Sequence, residues 1–315
     1  MSADPRVTAV IPTFGRADLV VRAARTVLAQ TVTDIELLVV IDGDDPATVA
    51  GLAAIADPRL RVIVQPVQRG PGEARNAGAR AARGAWVAFL DDDDEWLPAK
   101  LERQLALAGE QEAIVTTLST VVTPQGRFIR PTQPYDGTVP IDEWLFDRRS
   151  WLKGGMSFLQ TSSLMMPRAL FDRLCFKDTR QHEDWELVIE AVKTHGYPLL
   201  TVPEPLTIHY WDPARQTLSS ERRWAASLAW ADRMRPLLTA RAYSGFVLTS
   251  IGQASANRGE WAAVPPLVRA AFARGTPTGQ QLFRFVATYL FAPGLRRRLR
   301  AGWQAERAHP AGERR

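Results

Sequence analysis

Four short apolar runs, separated by segments with helical spacing, organise the first 110 residues. Val7 to Ile11, Glu36 to Ile41, Leu60 to Val64 and Ala85 to Leu90 are rich in β-branched residues; helix-like stretches at Ala17 to Ala29, Ala47 to Ala56 and Glu73 to Ala82 lie between them. Strand, helix, strand repetition implies parallel pairing, because each crossover returns the chain in the same direction. Runs without polar alternation read as strands buried on both faces. The pattern predicts an α/β fold, a mostly parallel, Rossmann-like sheet flanked by helices, in which ligands bind at the carboxyl edge of the strands.

Beyond about residue 220 the pattern changes. Glu221 to Ala240, Ser244 to Arg258, Trp261 to Arg274 and Gln280 to Leu290 have helical spacing, with Pro236, Pro265-Pro266, Pro277 and Pro293 as boundaries. This predicts a domain over 1–220 and a helical C-terminal region over 221–315. No catalytic motif falls in the latter.

Composition narrows the class. The 315 residues suffice for one large α/β domain with an appendage. The single Cys175 excludes an internal disulfide and any CxxC motif, points to a reducing compartment, and is expected in the core. The N-terminus runs straight into an apolar strand without a signal-peptide pattern, and no run is long enough to span a bilayer. The expected location is therefore cytoplasmic, with peripheral contact on the inner face of the cell membrane. That contact falls to the basic tail, Arg296-Arg297-Arg298-Leu299-Arg300, which follows the apolar segment Leu282 to Leu295. The net charge of +5 comes with an arginine excess, but no aromatic and basic interleaving on strands supports nucleic acid binding.

The carboxyl edge holds the candidate chemistry. Pro12-Thr13-Phe14-Gly15-Arg16 follows the first strand, Asp42-Gly43-Asp44-Asp45 the second, and Asp91 to Asp94 the fourth. Asp42-Gly43 alone is an ordinary turn, and Asp44 or Asp45 an ordinary helix cap. Four consecutive aspartates are harder to explain locally. Like charges at a strand end repel unless a cation or donor groups offset them, and oxygen ligands suit Mg²⁺ or Mn²⁺.

The order of motifs resembles the family 2 glycosyltransferases of the GT-A fold. The nucleotide-binding half of that family (1–110) is matched by Val7-Thr-Ala-Val-Ile-Pro-Thr-Phe-Gly-Arg, Thr26-Val-Leu-Ala-Gln-Thr, Glu36-Leu-Leu-Val-Val-Ile-Asp-Gly, Ala74-Arg-Asn-Ala-Gly and Leu90-Asp-Asp-Asp-Asp-Glu-Trp. The acceptor half (111–220) is matched by Gln160-Thr-Ser-Ser-Leu-Met-Met-Pro-Arg and His182-Glu-Asp-Trp-Glu-Leu. The resemblance implies an inverting, metal-dependent transfer of a sugar from a nucleoside diphosphate donor, UDP before GDP or dTDP, to a glycan or lipid-linked acceptor. It places the family's DxD on Asp91 and Asp93. Asp93 is then the first metal ligand, with Asp91 and His209 as further metal-site residues, and Asp91 and Asp92 facing ribose or metal-bound water. Asp94 is left as structural. Pro12, Thr13, Phe14, Arg16, Asp42 and Arg75 would line the nucleotide.

Inversion by direct displacement needs one base for the acceptor proton. Asp184 matches the family's base, Glu183 and Trp185 lie beside it as acceptor residues, and helix capping is the ordinary alternative for the acidic pair. Trp96, Trp144, Trp151 and Trp211 fall in the same span. His209 resembles the family's loop after the last core strand, although Thr207 stands where an arginine is common, which points to Arg215. Gly154-Gly155 suits a mobile flap, and Gly78 a close helix packing. The helical region suits membrane docking, carrier binding or a homodimer. Two other functions fit parts of the sequence: a catalytically inactive nucleotide- or glycan-binding module, and a nucleotidyltransferase on a related sheet, for which Pro12-Thr-Phe-Gly-Arg lacks the Gly-rich phosphate loop.

Overall fold

The computed structural model describes residues 4–147, 157–177, 181–211 and 224–291. The chain divides into two compact units, Met1–Leu145 with Leu152–Glu221, and Phe146–Trp151 with Arg222–Arg315.

The first unit alternates as its hydrophobic pattern requires: β1 (Val7–Thr13), α1 (Ala17–Leu28), β2 (Ile35–Ile41), α2 (Pro46–Ala53), β3 (Leu60–Val64), α3 (Pro71–Ala81) and β4 (Trp86–Phe89). Then follow β5 (Glu95–Trp96), α4 (Lys100–Ala108), β6 (Ile114–Thr123), β7 (Gly126–Arg130), α5 (Ile141–Phe146), β8 (Met165–Pro167), α6 (Glu183–His195) and β9 (Leu199–Tyr210). The strands form one sheet in the order β3-β2-β1-β4-β8-β6-β9-β5, with β7 on β6. β1, β2, β3 and β4 pair in parallel, as does β6 with β9; β8, β7 and β5 pair antiparallel, so the sheet is mixed.

Burial explains the register. Every residue of β1 and β2 is buried, whereas β3, at the sheet edge, is half exposed and departs from the expectation of two covered faces. Val20, Ala23, Ala24 and Val27 of α1 pack with Val7, Ile11, Leu37 and Val39 in one core. Gly78 permits the approach of α3 to β1, since a Cβ there would lie 2.3 Å from Val10 Cγ1. Asp45 is the residue that caps α2, accepting from Thr48 N at 3.1 Å. Cys175 is exposed rather than in the core, because it alternates with the buried Leu174 and Phe176.

The second unit is helical: α7 (Trp224–Met234), α8 (Ala240–Gly245), α9 (Gly252–Asn257), α10 (Val264–Arg274) and α11 (Gly279–Leu290). A π-helical segment, Phe246–Ile251, joins α8 to α9. Phe146, Trp230 and Phe246 interlock with ring centroids 4.9–6.2 Å apart. Pro265 and Pro266 fall in the first turn of α10, where the missing N–H is not needed. Thr278 and Gln281 close a capping box on α11. No described helix is long and apolar enough to cross a membrane.

Candidate active site

The site forms where β1 and β4 end side by side. Leu90 N donates to Val10 O and Asp94 N to Asp91 O at 3.1 Å, folding the aspartate run into a turn between β4 and β5. The turn sends the four carboxylates in different directions. Asp91 Oδ1 accepts from Arg75 Nη2 at 2.6 Å, and Asp91 Oδ2 from Gln160 Nε2 at 3.3 Å. Asp92 accepts from Thr13 Oγ1 at 2.8 Å and Arg16 Nη1 at 2.9 Å. Asp94, fully buried, accepts from Gln160 Nε2 at 2.5 Å, Ser162 Oγ at 2.7 Å and Tyr210 N at 3.2 Å, and lies 3.1 Å from His209 Nδ1.

Asp93 meets Arg16 at longer range. Its carboxylate meets Arg16 Nη1 at 3.4 Å, while its backbone oxygen accepts from Arg22 Nη2 at 2.8 Å. Burial, reinforced by the charges of Asp94, Asp91 and Asp92, pushes the Asp93 carboxyl up to about 7. Burial likewise raises Asp92 despite Arg16 and Thr13. Crowded negative charge of this kind is what a divalent cation relieves. Among the described residues no three Asp, Glu, His or Cys side chains converge as a ready-made metal cage. One or two carboxylates, completed by water and phosphate oxygens, are the usual protein contribution to a hard octahedral cation, so Asp93 and Asp91 fit such an ion.

His209 stands beside Asp94, its Nδ1 3.1 Å from both carboxylate oxygens. Burial alone would lower its pKa, but the Asp94 carboxylate outweighs that and raises it to about 9. The imidazole therefore carries a proton beside Asp94 at neutral pH, and would have to lose it before ligating a metal through Nδ1.

Arg75 joins the two halves of the sheet. Its side chain is buried, with Nη2 on Asp91 and Nη1 3.3 Å from Glu183 Oε1. Burial opposes its charge, but Asp91, Glu183 and Asp184 together hold it firmly protonated. One guanidinium thus ties the aspartate turn to the first turn of α6. That helix start is unusual: His182 stands before it in the left-handed region, with φ 66°. Asp184 Oδ1 accepts from Trp185 N at 2.9 Å. The Trp185 ring stacks on His182, centroids 5.0 Å apart, and its Nε1 donates to Leu159 O at 3.3 Å.

Other candidates separate. Pro12 is buried within β1, and Phe14 is exposed with its ring against Gly43. Both carboxylate oxygens of Asp42 accept backbone donors, Arg69 N at 2.8 Å and Gly70 N at 2.7 Å, holding the loop before α3. Trp96 is core, its Nε1 bonded to Ser162 O, and is withdrawn as an acceptor residue. Trp144 donates to Gln133 O, and Trp211 is exposed. Trp151, Gly154-Gly155, Arg215 and the basic tail lie outside the described residues.

Gln160 and Ser162 are the site residues that sequence reasoning passed over. They supply the donors that hold Asp94 in place and reach Asp91, with Ser162 Oγ also accepting from Asp91 N. The signal was the acceptor-half motif that begins at Gln160, a polar quartet to Ser163 between apolar Phe158-Leu159 and Leu164 to Met166, to which no side-chain role was given.

A mixed sheet flanked by helices, with an acidic turn at the end of its fourth strand, defines the GT-A class of glycosyltransferases. The family model for glycosyl transferase family 2 matches residues 8–175, more than half the chain, and the protein belongs to that family. It is 25% identical over 251 residues to the amylovoran biosynthesis glycosyltransferase AmsB of Erwinia amylovora, covering 76% of this chain and 80% of that protein. Identity is 45% over 127 residues to the succinoglycan biosynthesis protein ExoO of Rhizobium meliloti, a match spanning 40% of this chain and 36% of that relative. It is 31% over 104 residues, 33% of this chain and 41% of the other, to the UDP-Glc:alpha-D-GlcNAc-diphosphoundecaprenol beta-1,3-glucosyltransferase WfgD of Escherichia coli. The mannosyltransferase PcManGT from Pyrobaculum calidifontis, solved in complex with GDP-Man and Mn²⁺, superposes with TM-score 0.60 at 18% identity over 94% of this chain and 83% of that one. The chain is a glycosyltransferase, with relatives in polysaccharide biosynthesis.

Proposed function

We propose that this protein transfers a glycosyl group, with inversion, from a nucleoside diphosphate sugar to a hydroxyl of a glycan or lipid-linked acceptor in the assembly of a surface polysaccharide. The observation that carries the reading is the Arg75 bridge, which brings Glu183 and the candidate base Asp184 to the aspartate turn from 92 residues away. A base and a charge-crowded turn at one edge are what displacement at an anomeric carbon requires.

Roles follow from the contacts. Asp93 and Asp91 would hold Mg²⁺ or Mn²⁺, which when bound neutralises charge on the departing diphosphate. Arg16 and Thr13 fix Asp92 toward the nucleotide, Phe14 offers an exposed ring to the base, and Asp42 shapes the loop before α3 that borders it. Asp184 takes the acceptor proton, and Arg75 orients the acidic pair. The diphosphoundecaprenol acceptor and UDP-Glc donor in WfgD's name, together with the GDP-Man and Mn²⁺ bound to PcManGT, support the acceptor, donor and metal classes.

The test is a thermal-shift screen of UDP, GDP and dTDP and their sugars, with Mn²⁺ or with chelator, followed by transfer assays on undecaprenyl diphosphate sugars. Metal-dependent stabilisation by one nucleotide, then turnover of its sugar, is expected. Stabilisation without any turnover on a broad acceptor panel favours the inactive binding module. Stabilisation equal in chelator removes the metal from the account.

A further inference from the structure

A lysine without a counter-ion lies behind the aspartate turn. Lys100, in the first turn of α4, is fully buried, and so is Gln104 one turn further on. Lys100 Nζ donates to Gln104 Oε1 at 2.7 Å and stands 4.0 Å from the centroid of the Trp96 ring; among the described residues no carboxylate pairs with it. Burial alone pushes its ammonium well below the usual lysine range. Enclosing an amine without a carboxylate burdens the fold in a way that methionine in the same space would not.

What the amine holds leads to the site. By donating to Gln104 Oε1 it fixes which way that amide faces, and Gln104 Nε2 then donates to Ser163 O at 2.9 Å and Val115 O at 2.7 Å. The amine also covers one face of Trp96, whose Nε1 donates to Ser162 O at 2.7 Å. Two arms from one lysine thus reach consecutive carbonyls of the 160–163 turn from behind, and Ser163 Oγ closes that turn on Gln160 O at 2.7 Å. The front of the turn grips the aspartates: Gln160 Nε2 reaches Asp91 and Asp94, and Ser162 Oγ reaches Asp94. A small shift of the turn is therefore felt at carboxylates from which a hard octahedral cation demands near-ideal geometry.

We propose that Lys100 is a positioning residue: through Gln104 and Trp96 it sets the 160–163 turn, and with it the aspartates, for the arriving cation. The inference rests on the reading of Asp91 and Asp93 as the cation's site.

The experiment titrates Mn²⁺ alone into the full chain, following free Mn²⁺ by electron paramagnetic resonance, and records the unfolding temperature of each protein. The proteins are wild type, Lys100→Met, Gln104→Met, the double variant, and Leu105→Ala, which removes a core side chain of the same helix as a control for lost packing. Lys100→Met should keep or exceed the wild-type unfolding temperature and raise the Kd for Mn²⁺ about tenfold. Gln104→Met should raise it by the same factor, and the double variant no further, because the two residues act in series. Leu105→Ala should lower the unfolding temperature and leave the Kd unchanged. A wild-type Kd in Lys100→Met overturns the positioning role and leaves the cation site standing, whereas a wild type that binds no Mn²⁺ refutes the cation reading itself. An equal rise in Kd for Leu105→Ala reduces the effect to packing, and a Lys100→Met chain that unfolds several degrees lower or fails to fold assigns the lysine to stability; either result overturns the proposal.

Discussion

The two ends of the parallel strands in one mixed sheet treat buried carboxylates in opposite ways. At the amino end, Glu36 is buried and accepts from Thr8 Oγ1 at 2.7 Å, Arg83 N at 2.6 Å, Arg61 Nη1 at 2.9 Å and Arg83 Nε at 3.0 Å. Those donors overcome the burial penalty and hold the carboxyl below its usual range. At the carboxyl end, Asp93 meets Arg16 at 3.4 Å among three negative neighbours, and burial with those neighbours holds its carboxyl far above its usual range. Glu36 lies at the start of β2 and Asp93 four residues beyond β4. A carboxylate surrounded by donors is part of the fold's stability, whereas like-charge crowding at a strand end is what the proposed cation would relieve.

Removal of the candidate base should have the largest effect. Asp184→Asn lowers kcat by about 10² to 10⁴-fold while leaving donor affinity unchanged, read from steady-state kinetics and calorimetry. A normal rate would mean that the acidic pair at α6 only caps its helix.

Breaking the amino-end cluster should cost stability and leave chemistry alone. Glu36→Gln is expected to destabilise by about 2–3 kcal/mol in denaturant titration, with kcat unchanged, because it uncouples Arg61 and Arg83 from a buried partner. The sign of its pH dependence is fixed. The folded pKa lies below the unfolded value of about 4.5, so the contribution is fully present above the unfolded value and is lost as pH falls through the lower, folded one. The gap between wild type and variant should therefore narrow as pH falls below about 4.5. A gap that widens there would refute the pairing.

Ser162→Ala tests the inner wall of the site. It removes one of the donors to the buried Asp94 and should cost about 1–2 kcal/mol with a measurable rise in the Kd for metal. Loss of stability with unaltered metal binding would separate Asp94 from the function of the turn.

These contrasts also show what a sequence carries. The β1 to β4 half was legible to within about three residues at each end, because buried parallel strands and their crossover helices impose long apolar runs. β5 and β8 were not, since two and three residues such as Glu95–Trp96 and Met165–Pro167 leave no period to read. β9 was legible only as an apolar stretch, with Pro203 and Pro205 and the irregular pairing at Leu118 obscuring a 12-residue strand. Among site residues, the aspartates announced themselves by charge. Gln160 and Ser162 did not, because neutral donors acquire meaning only when the fold brings them to a carboxylate 66–68 residues away. Arg75 was expected to line the nucleotide, and its burial between the aspartate turn and α6 had no local signal.

The central proposal is that the like-charge crowding around Asp93 serves a cation. The most direct measurement is the unfolding temperature of wild type and Asp93→Asn, each in chelator and in Mn²⁺ with nucleoside diphosphate. Relief of like-charge crowding should make the variant about 1 kcal/mol more stable in chelator, some 2–4 °C, while only the wild type gains from metal and nucleotide, so that the order of the two reverses. A variant that is less stable in chelator, or that gains as much from Mn²⁺ as the wild type, would contradict the account.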